Sequence, residues 1–283
     1  MDNKIDMYCF SADEKDLDLI ESLNYIPVGL GATNFSDKWI RDNNGENISS
    51  KNKWYGELTF HYYFWKNILN KITKNKWIGF CAYRDIWVNY SEYLKYKNDP
   101  NNYQIENTNR YNEIHNIALK EPHENWVDYE TILGDEIRLD NMKLIKLIKY
   151  GKLSLLRNPR AIFKSGRTIR WQFDMFHGVG NLDKAIELLP DKDRDDFKYF
   201  TRNETSFNRG NIFISKSSKI IDLYFKEVFE WLFNCEKIFG FDLNGYGKIR
   251  MYTFLAERFL PFWFKKYSNY LEWPVIYYDI NKN

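Results

Sequence analysis

Ile5–Phe10 reads as a strand with alternating apolar residues, and Tyr25–Val28 as a second. Between them Ser11 stands at a helix N-cap, Glu14 follows three residues later, and Leu17, Ile20 and Leu23 recur at helical spacing. The pattern predicts a helix over Ser11–Asn24. Gly29-Leu30-Gly31-Ala32-Thr33 comes next. Strand, helix, strand and glycine loop open many α/β nucleotide-binding domains. The glycines match neither a dinucleotide fingerprint nor a phosphate-binding loop, and an ordinary turn accounts for them.

The stretch Asp42–Asp85 changes character twice. Asp42–Ser50 is polar, with Gly45 as breaker and several Asn and Asp that tolerate turns. Ser49 or Ser50 then stands where a helix N-cap belongs. From Asn52 to Ile72, Trp54, Leu58, Tyr62, Trp65, Ile68, Leu69 and Ile72 recur at offsets of three and four. They predict one helix with one apolar face. Off that face lie Tyr55, Glu57, Thr59, Lys66 and Asn67, a mixture of hydroxyl, carboxylate, ammonium and amide groups. An ordinary surface and the polar wall of a site are both consistent with it. Trp77–Cys81 is an apolar run with the length of a buried strand, and it ends in Tyr83-Arg84-Asp85.

Further along, Ile86–Tyr93 is expected near the edge of the sheet. Lys97–Glu124 is polar and reads as an insertion loop with a short helix at Ile114–Leu119. A helix is expected at about Asp140–Ile148, a strand at Lys152–Leu156 and a turn at Arg157–Arg160. Arg160, Lys164, Arg167 and Arg170 form a basic cluster, either a solvated edge or a set of forks for a diphosphate. Trp171–His177 and Leu182–Leu189 are helical, and Asp191–Asp196 is a solvated helix start. Ile212–Ile214 is a short buried strand behind a polar loop. Ser217–Phe239 is a long amphipathic helix, and Pro274–Asp279 a terminal strand. There is no repeat and no clear linker, so one domain over residues 1–283 is the economical reading.

Composition narrows the function classes. The net charge is +2, from 41 basic and 39 acidic residues, which argues against a general nucleic-acid binder. Aromatics reach 18%, with 10 Trp, 21 Tyr and 21 Phe. The codon bias of an AT-rich genome explains most of them, and stacking platforms for sugars or bases would be the functional cause. Cys9, Cys81 and Cys235 are odd in number and far apart, as expected of reduced thiols in the cytoplasm. The first residues lack the apolar core of a signal peptide, and no stretch approaches the ~20 apolar residues of a membrane span. Phe254–Tyr270 is aromatic and carries Arg258, Lys265 and Lys266. A core helix is the better reading, with peripheral contact at the inner face of a membrane as the alternative.

The residues Asp42, Gly45, Asn47, Ile48, Ser49, Asn52, Tyr55, Glu57, Leu58 and Thr59, then Trp65-Lys66-Asn67, then Gly79, Tyr83 and Arg84, form an ordered pattern. This pattern resembles a bacterial glycosyltransferase-like family from capsule and O-antigen gene clusters that shares a domain of unknown function, DUF4422. The family's His before Tyr-Arg is Ala82 here, and its second Arg is Asp85. Weaker matches follow in the family's order: His177 with Leu182-Asp183, then Asn211, Phe213 and Ile214, then Leu255-Ala256-Glu257-Arg258.

The resemblance implies an α/β, GT-A-like domain with a mixed, mostly parallel central sheet flanked by helices. It implies transfer of a sugar, galactofuranose or another hexose, from a nucleotide-diphosphate donor such as a UDP-sugar. The acceptor would be a growing surface glycan or a lipid-linked glycan. Many GT-A enzymes hold Mg2+ or Mn2+ with an Asp-x-Asp after a buried strand, and here that place holds only Asp85. Either Asp85 binds the metal or Arg84 replaces its charge, and a structural Arg84–Asp85 ion pair is the plain alternative. His177 and Glu257 stand first as acceptor base, ahead of Asp174 and Glu204. His61, His115 and His123 match nothing in the family. Asn47, Ser49, Asn52, Tyr55, Glu57, Thr59, Lys66, Tyr83, Arg84, Asn211 and Arg258 are the expected donor and substrate contacts. A non-catalytic sugar- or nucleotide-binding module would keep the polar wall and lack the base.

Overall fold

A computed structural model describes residues 4–73, 76–98, 111–140 and 152–277. Its strands are β1 (Ile5–Ser11), β2 (Ile26–Gly29), β3 (Ile40–Arg41), β4 (Trp77–Ala82), β5 (Asp85–Trp87), β6 (Thr131–Gly134), β7 (Glu136–Arg138), β8 (Ser206–Asn208), β9 (Phe213–Ser215), β10 (Tyr270–Trp273) and β11 (Val275–Tyr277). The main sheet runs in the order β3-β2-β1-β4-β9-β6-β10, with β5 and β11 attached beside the tip of β4. Along that path β3, β2, β1 and β4 are mutually parallel, as are β6 and β10. Only β9 runs against its neighbours, between β4 and β6. The expected mixed, mostly parallel sheet is therefore present, and β7 and β8 form a separate antiparallel pair.

Alternation along the central strands divides the core in two. Tyr8 and Phe10 of β1, Ile78 and Phe80 of β4 and Phe213 of β9 face one side. There they meet the helices Leu58–Asn67, Ser218–Phe239 and Met251–Tyr267. Met7 and Cys9 of β1, Trp77 and Cys81 of β4 and Ile214 of β9 face the other, against Leu19, Ile20, Ile114 and Trp126. Cys9 and Cys81 sit side by side in the β1/β4 register, and both are buried free thiols, as is Cys235. Met251–Tyr267 buries Phe259, Leu260, Trp263 and Phe264. The aromatic C-terminal stretch is thus a core helix, as the better of its two readings expected.

Several sequence expectations are corrected. Ser11 ends β1 instead of capping a helix; Asp13 caps a short 3-10 turn, and the helix is Leu17–Ser22. The expected single helix over Asn52–Ile72 is two, Asn52–Tyr55 and Leu58–Asn67, broken at Gly56 with φ +54°. The second piece is sandwiched between the sheet and Ser218–Phe239, so Thr59, Phe60 and His61 are buried. Trp54, Tyr62, Trp65 and Ile68 pack only partly against the core. Lys152–Arg157 is a helix, not a strand. The helix expected at Asp140–Ile148 and the centre of the insertion expected at Lys97–Glu124 lie largely outside the described residues. Ser217 caps the long helix as expected, its hydroxyl accepting from the Ile220 N–H.

Candidate active site

The chain leaves β1 for β2 on one side of the sheet and later returns to β4 on the other side of β1. A crevice must open where that strand order reverses, outside the carboxyl ends of β1 and β4. The structure has a cleft of about 300 Å³ there. The end of β1 supplies Phe10, Ser11 and Ala12. The turn from β4 to β5 supplies Tyr83, Arg84 and Asp85, and the Tyr83 N–H bonds to the Phe10 carbonyl at 2.9 Å. Three remote segments close the wall: Asn52, Gly56 and Glu57; Gly210–Ile212; and Arg250, Thr253, Phe254 and Glu257.

Glu57 stands at the N-terminal end of Leu58–Asn67, aimed by the Gly56 bend. Its Oε1 accepts from Asn211 Nδ2 at 2.7 Å, and its Oε2 pairs with the Arg250 guanidinium at 3.3 Å. The bend requires glycine: a Cβ at position 56 would lie 2.0 Å from an Arg250 nitrogen. Asn52 holds the bend from behind, donating to the Gly56 carbonyl at 3.0 Å and to Thr59 Oγ1 at 3.2 Å. The Thr59 hydroxyl donates in turn to the Gly56 carbonyl at 3.0 Å. Glu257 accepts from the Gly210 N–H at 2.9 Å and pairs with Arg258. Arg258 is buried behind the wall, and its other nitrogen reaches Gln172 Oε1 at 2.8 Å.

Asp85 is a half-buried carboxylate of the cleft lining. Burial pushes its carboxyl above the usual range; Glu57 and Glu257 push the same way, while Arg209 and Arg84 oppose them. Arg84 is exposed at the tip, over the Tyr83 ring at 5.0 Å, and donates to the Tyr277 hydroxyl at 3.3 Å. No ion pair joins Arg84 to Asp85 among the described residues; the plain structural pair is absent there. Nor does any group of three or more His, Cys, Asp and Glu side chains converge on one point among them.

Of the expected residues, Asn52, Glu57, Tyr83, Arg84, Asp85, Asn211 and Glu257 line the cleft. Thr59 and Arg258 support it from behind. Five others, Tyr55, Asn47, Ser49, Lys66 and His177, lie elsewhere. The Tyr55 hydroxyl is spent on Glu236 at 2.6 Å. Asn47 accepts from the Ser49 N–H and hydroxyl, holding a turn. Lys66 covers the Trp65 ring at 3.8 Å. His177 is buried, its Nδ1 2.8 Å from the Gly247 carbonyl and its ring stacked 4.0 Å from Phe254. Burial, then Arg258, pulls its pKa down to about 3. Arg167 and Arg170 of the basic cluster are also engaged, on the Ala161 and Asp140 carbonyls and on Asp183. Sequence reasoning missed Ser11, Gly210, Arg250 and Phe254. Only the Leu-Ala-Glu-Arg match beside Phe254 hinted at any of them.

Fold and cleft define an α/β protein whose sheet leaves a polar crevice at its switch point, a fold similar to that of a glycosyltransferase. The chain belongs to the DUF4422 family, described as a domain of unknown function, whose model matches residues 9–269. The apo structure of WbbM, a bifunctional glycosyltransferase, is similar to it with a TM-score of 0.61 at 15% identity. The match covers 98% of this chain and 46% of that one, so this chain spans less than half of that protein. No curated protein sequence matches the chain. Among the described residues, no helix is long and apolar enough to cross a membrane.

Proposed function

We propose that the cleft transfers a sugar from a nucleotide-diphosphate donor to a hydroxyl of a glycan acceptor, free or lipid-linked. The observation that carries this reading is that Glu57, Asp85 and Glu257 line one cleft with Arg84 and Arg250 at the carboxyl ends of β1 and β4. The similarity in fold to a glycosyltransferase supports it. Departure of a diphosphate needs positive charge, and Arg84, exposed at the rim with its guanidinium on the Tyr277 hydroxyl, is placed to meet phosphate oxygens. Mg2+ is commonly held by one or two carboxylates plus substrate phosphates, and Asp85 is a carboxylate suited to that arrangement. When bound, such an ion would neutralise the leaving group. Glu257, fixed by Gly210 and Arg258, takes the acceptor proton. Asn52 and Asn211 present amide edges to sugar hydroxyls.

A UDP-linked hexose, in furanose or pyranose form, is the first donor to try, and a surface polysaccharide of capsule or O-antigen type the first acceptor. The test is release of nucleoside diphosphate from a donor panel, with Mg2+, Mn2+ or a chelator. Turnover of one donor supports the proposal. Thermal stabilisation by a donor without release identifies a binding module and overturns it.

A further inference from the structure

Between positions 141 and 173 the sequence has nine lysines and arginines and no aspartate or glutamate. Within the described part of this run, Leu156 is 80% exposed, Ile162 58% and Phe163 70%. A solvated basic edge does not need three large apolar side chains standing in water. Nor does the segment need them to fold. It is pinned by its opposite face: Ala161 and Trp171 are buried with Leu155 and Met175. Ser154 Oγ donates to the Trp171 carbonyl at 2.9 Å, and Asn158 Nδ2 to the Gly166 carbonyl at 3.2 Å. Arg157 and Arg170 are held by Asp183. Arg160 and Lys164 are exposed and form no ion pair with a described residue.

We infer that Leu156, Ile162 and Phe163, with Arg160 and Lys164, dock the protein on an anionic lipid bilayer. Apolar side chains enter the interface while neighbouring cations meet the phosphate headgroups, the combination that binds a membrane without spanning it. Charge complementarity selects the occupant: a run of one sign wants an anionic partner, and the exposed apolar trio wants one with an oily interior. The opposite, buried face of this segment is the one turned toward the cleft machinery. It packs on the helix Ile169–His177, whose Gln172 holds Arg258 beside Glu257 and whose His177 stacks on Phe254. The inference stands apart from the sugar-transfer reading, since vesicle binding reports it whatever the cleft does.

The test is co-sedimentation of the full chain with vesicles of phosphatidylcholine containing phosphatidylglycerol, against phosphatidylcholine alone. Binding is expected to the anionic vesicles only, and to weaken as salt is raised. Ile162→Ser with Phe163→Ser, and separately Arg160→Gln with Lys164→Gln, should each weaken it about tenfold or more. Melting temperatures should stay unchanged, because these side chains point away from the core. Three results overturn the inference: no binding to anionic vesicles, equal binding by the variants, or a dimer of this chain that the Ser variant dissolves with no vesicle binding.

Discussion

Asn211 Nδ2 donates to Glu57 Oε1 at 2.7 Å and to the Thr253 carbonyl at 3.2 Å, tying three walls of the cleft together across 154 residues of chain. Asn211 is buried, so the bond is shielded from water. Replacing it by Asp sets two carboxyl groups against each other where an amide donor stood. Like charges that close cannot both ionise, so one pKa rises strongly. Asn211→Asp should cost about 3 kcal/mol at pH 8 and recover much of it at pH 5, read by denaturant titration at both pH values. Equal losses at the two pH values would show that the amide does not face the carboxylate.

The Gly56 bend makes a second expectation. Its φ of +54° and the close approach of Arg250 leave no room for a side chain. Gly56→Ala should destabilise by about 2 kcal/mol and release Arg250 from Glu57. Donor-dependent activity should fall more than stability does. A variant as stable as the parent, with intact activity, would refute the bend's role.

Asp85 tests the site against the fold. Its folded pKa lies above the unfolded value, so protonation favours the native state. The contribution is fully present below about pH 4, the unfolded value, and is lost as pH rises through the raised folded value. Asp85→Asn removes that burden. It should raise the melting temperature at pH 7, with the gain shrinking toward pH 4. Turnover should meanwhile drop at least ~100-fold. A variant that melts lower at pH 7 would assign Asp85 to structure instead.

His61 supplies a prediction remote from the cleft. It is fully buried between Phe10, Phe80 and Phe225, and neither ring nitrogen has a hydrogen-bond partner among the described residues. Burial pulls its pKa down to about 3. The neutral ring is therefore the native form. Its contribution to stability is complete above about pH 6.5, the unfolded value, and is lost as pH falls toward 3. His61→Leu should stabilise by about 1–3 kcal/mol and flatten the loss of stability in acid. An unchanged acid profile would assign that loss to other groups, His177 first among them.

The sheet was legible because β1 and β4 are buried on both faces and carry near-continuous apolar runs. Strands as short as β6 and β8 lack the length to show a period. The break at Gly56 was hidden because apolar spacing continues across it. Lys152–Arg157 imitates a strand since Leu156 turns outward, against the rule by which an inward face is read. The site was half legible. Asn47, Ser49, Tyr55 and Lys66 were read as ligand contacts, yet the first three hold turns and packing and the last covers an indole. Arg250 meets Glu57 from 193 residues away, and no local pattern announces such a partner.

The thiols of Cys9 and Cys81 lie flank to flank in the seam between β1 and β4, and Cys235 sits within the helical layer. A thiol-reactive dye reaches the first two only when that seam parts, and the third only when the long helix lifts. Dye uptake in plain buffer thus times two separate openings of the native molecule, with no denaturant, and distinguishes loosening of the sheet from loosening of its cover.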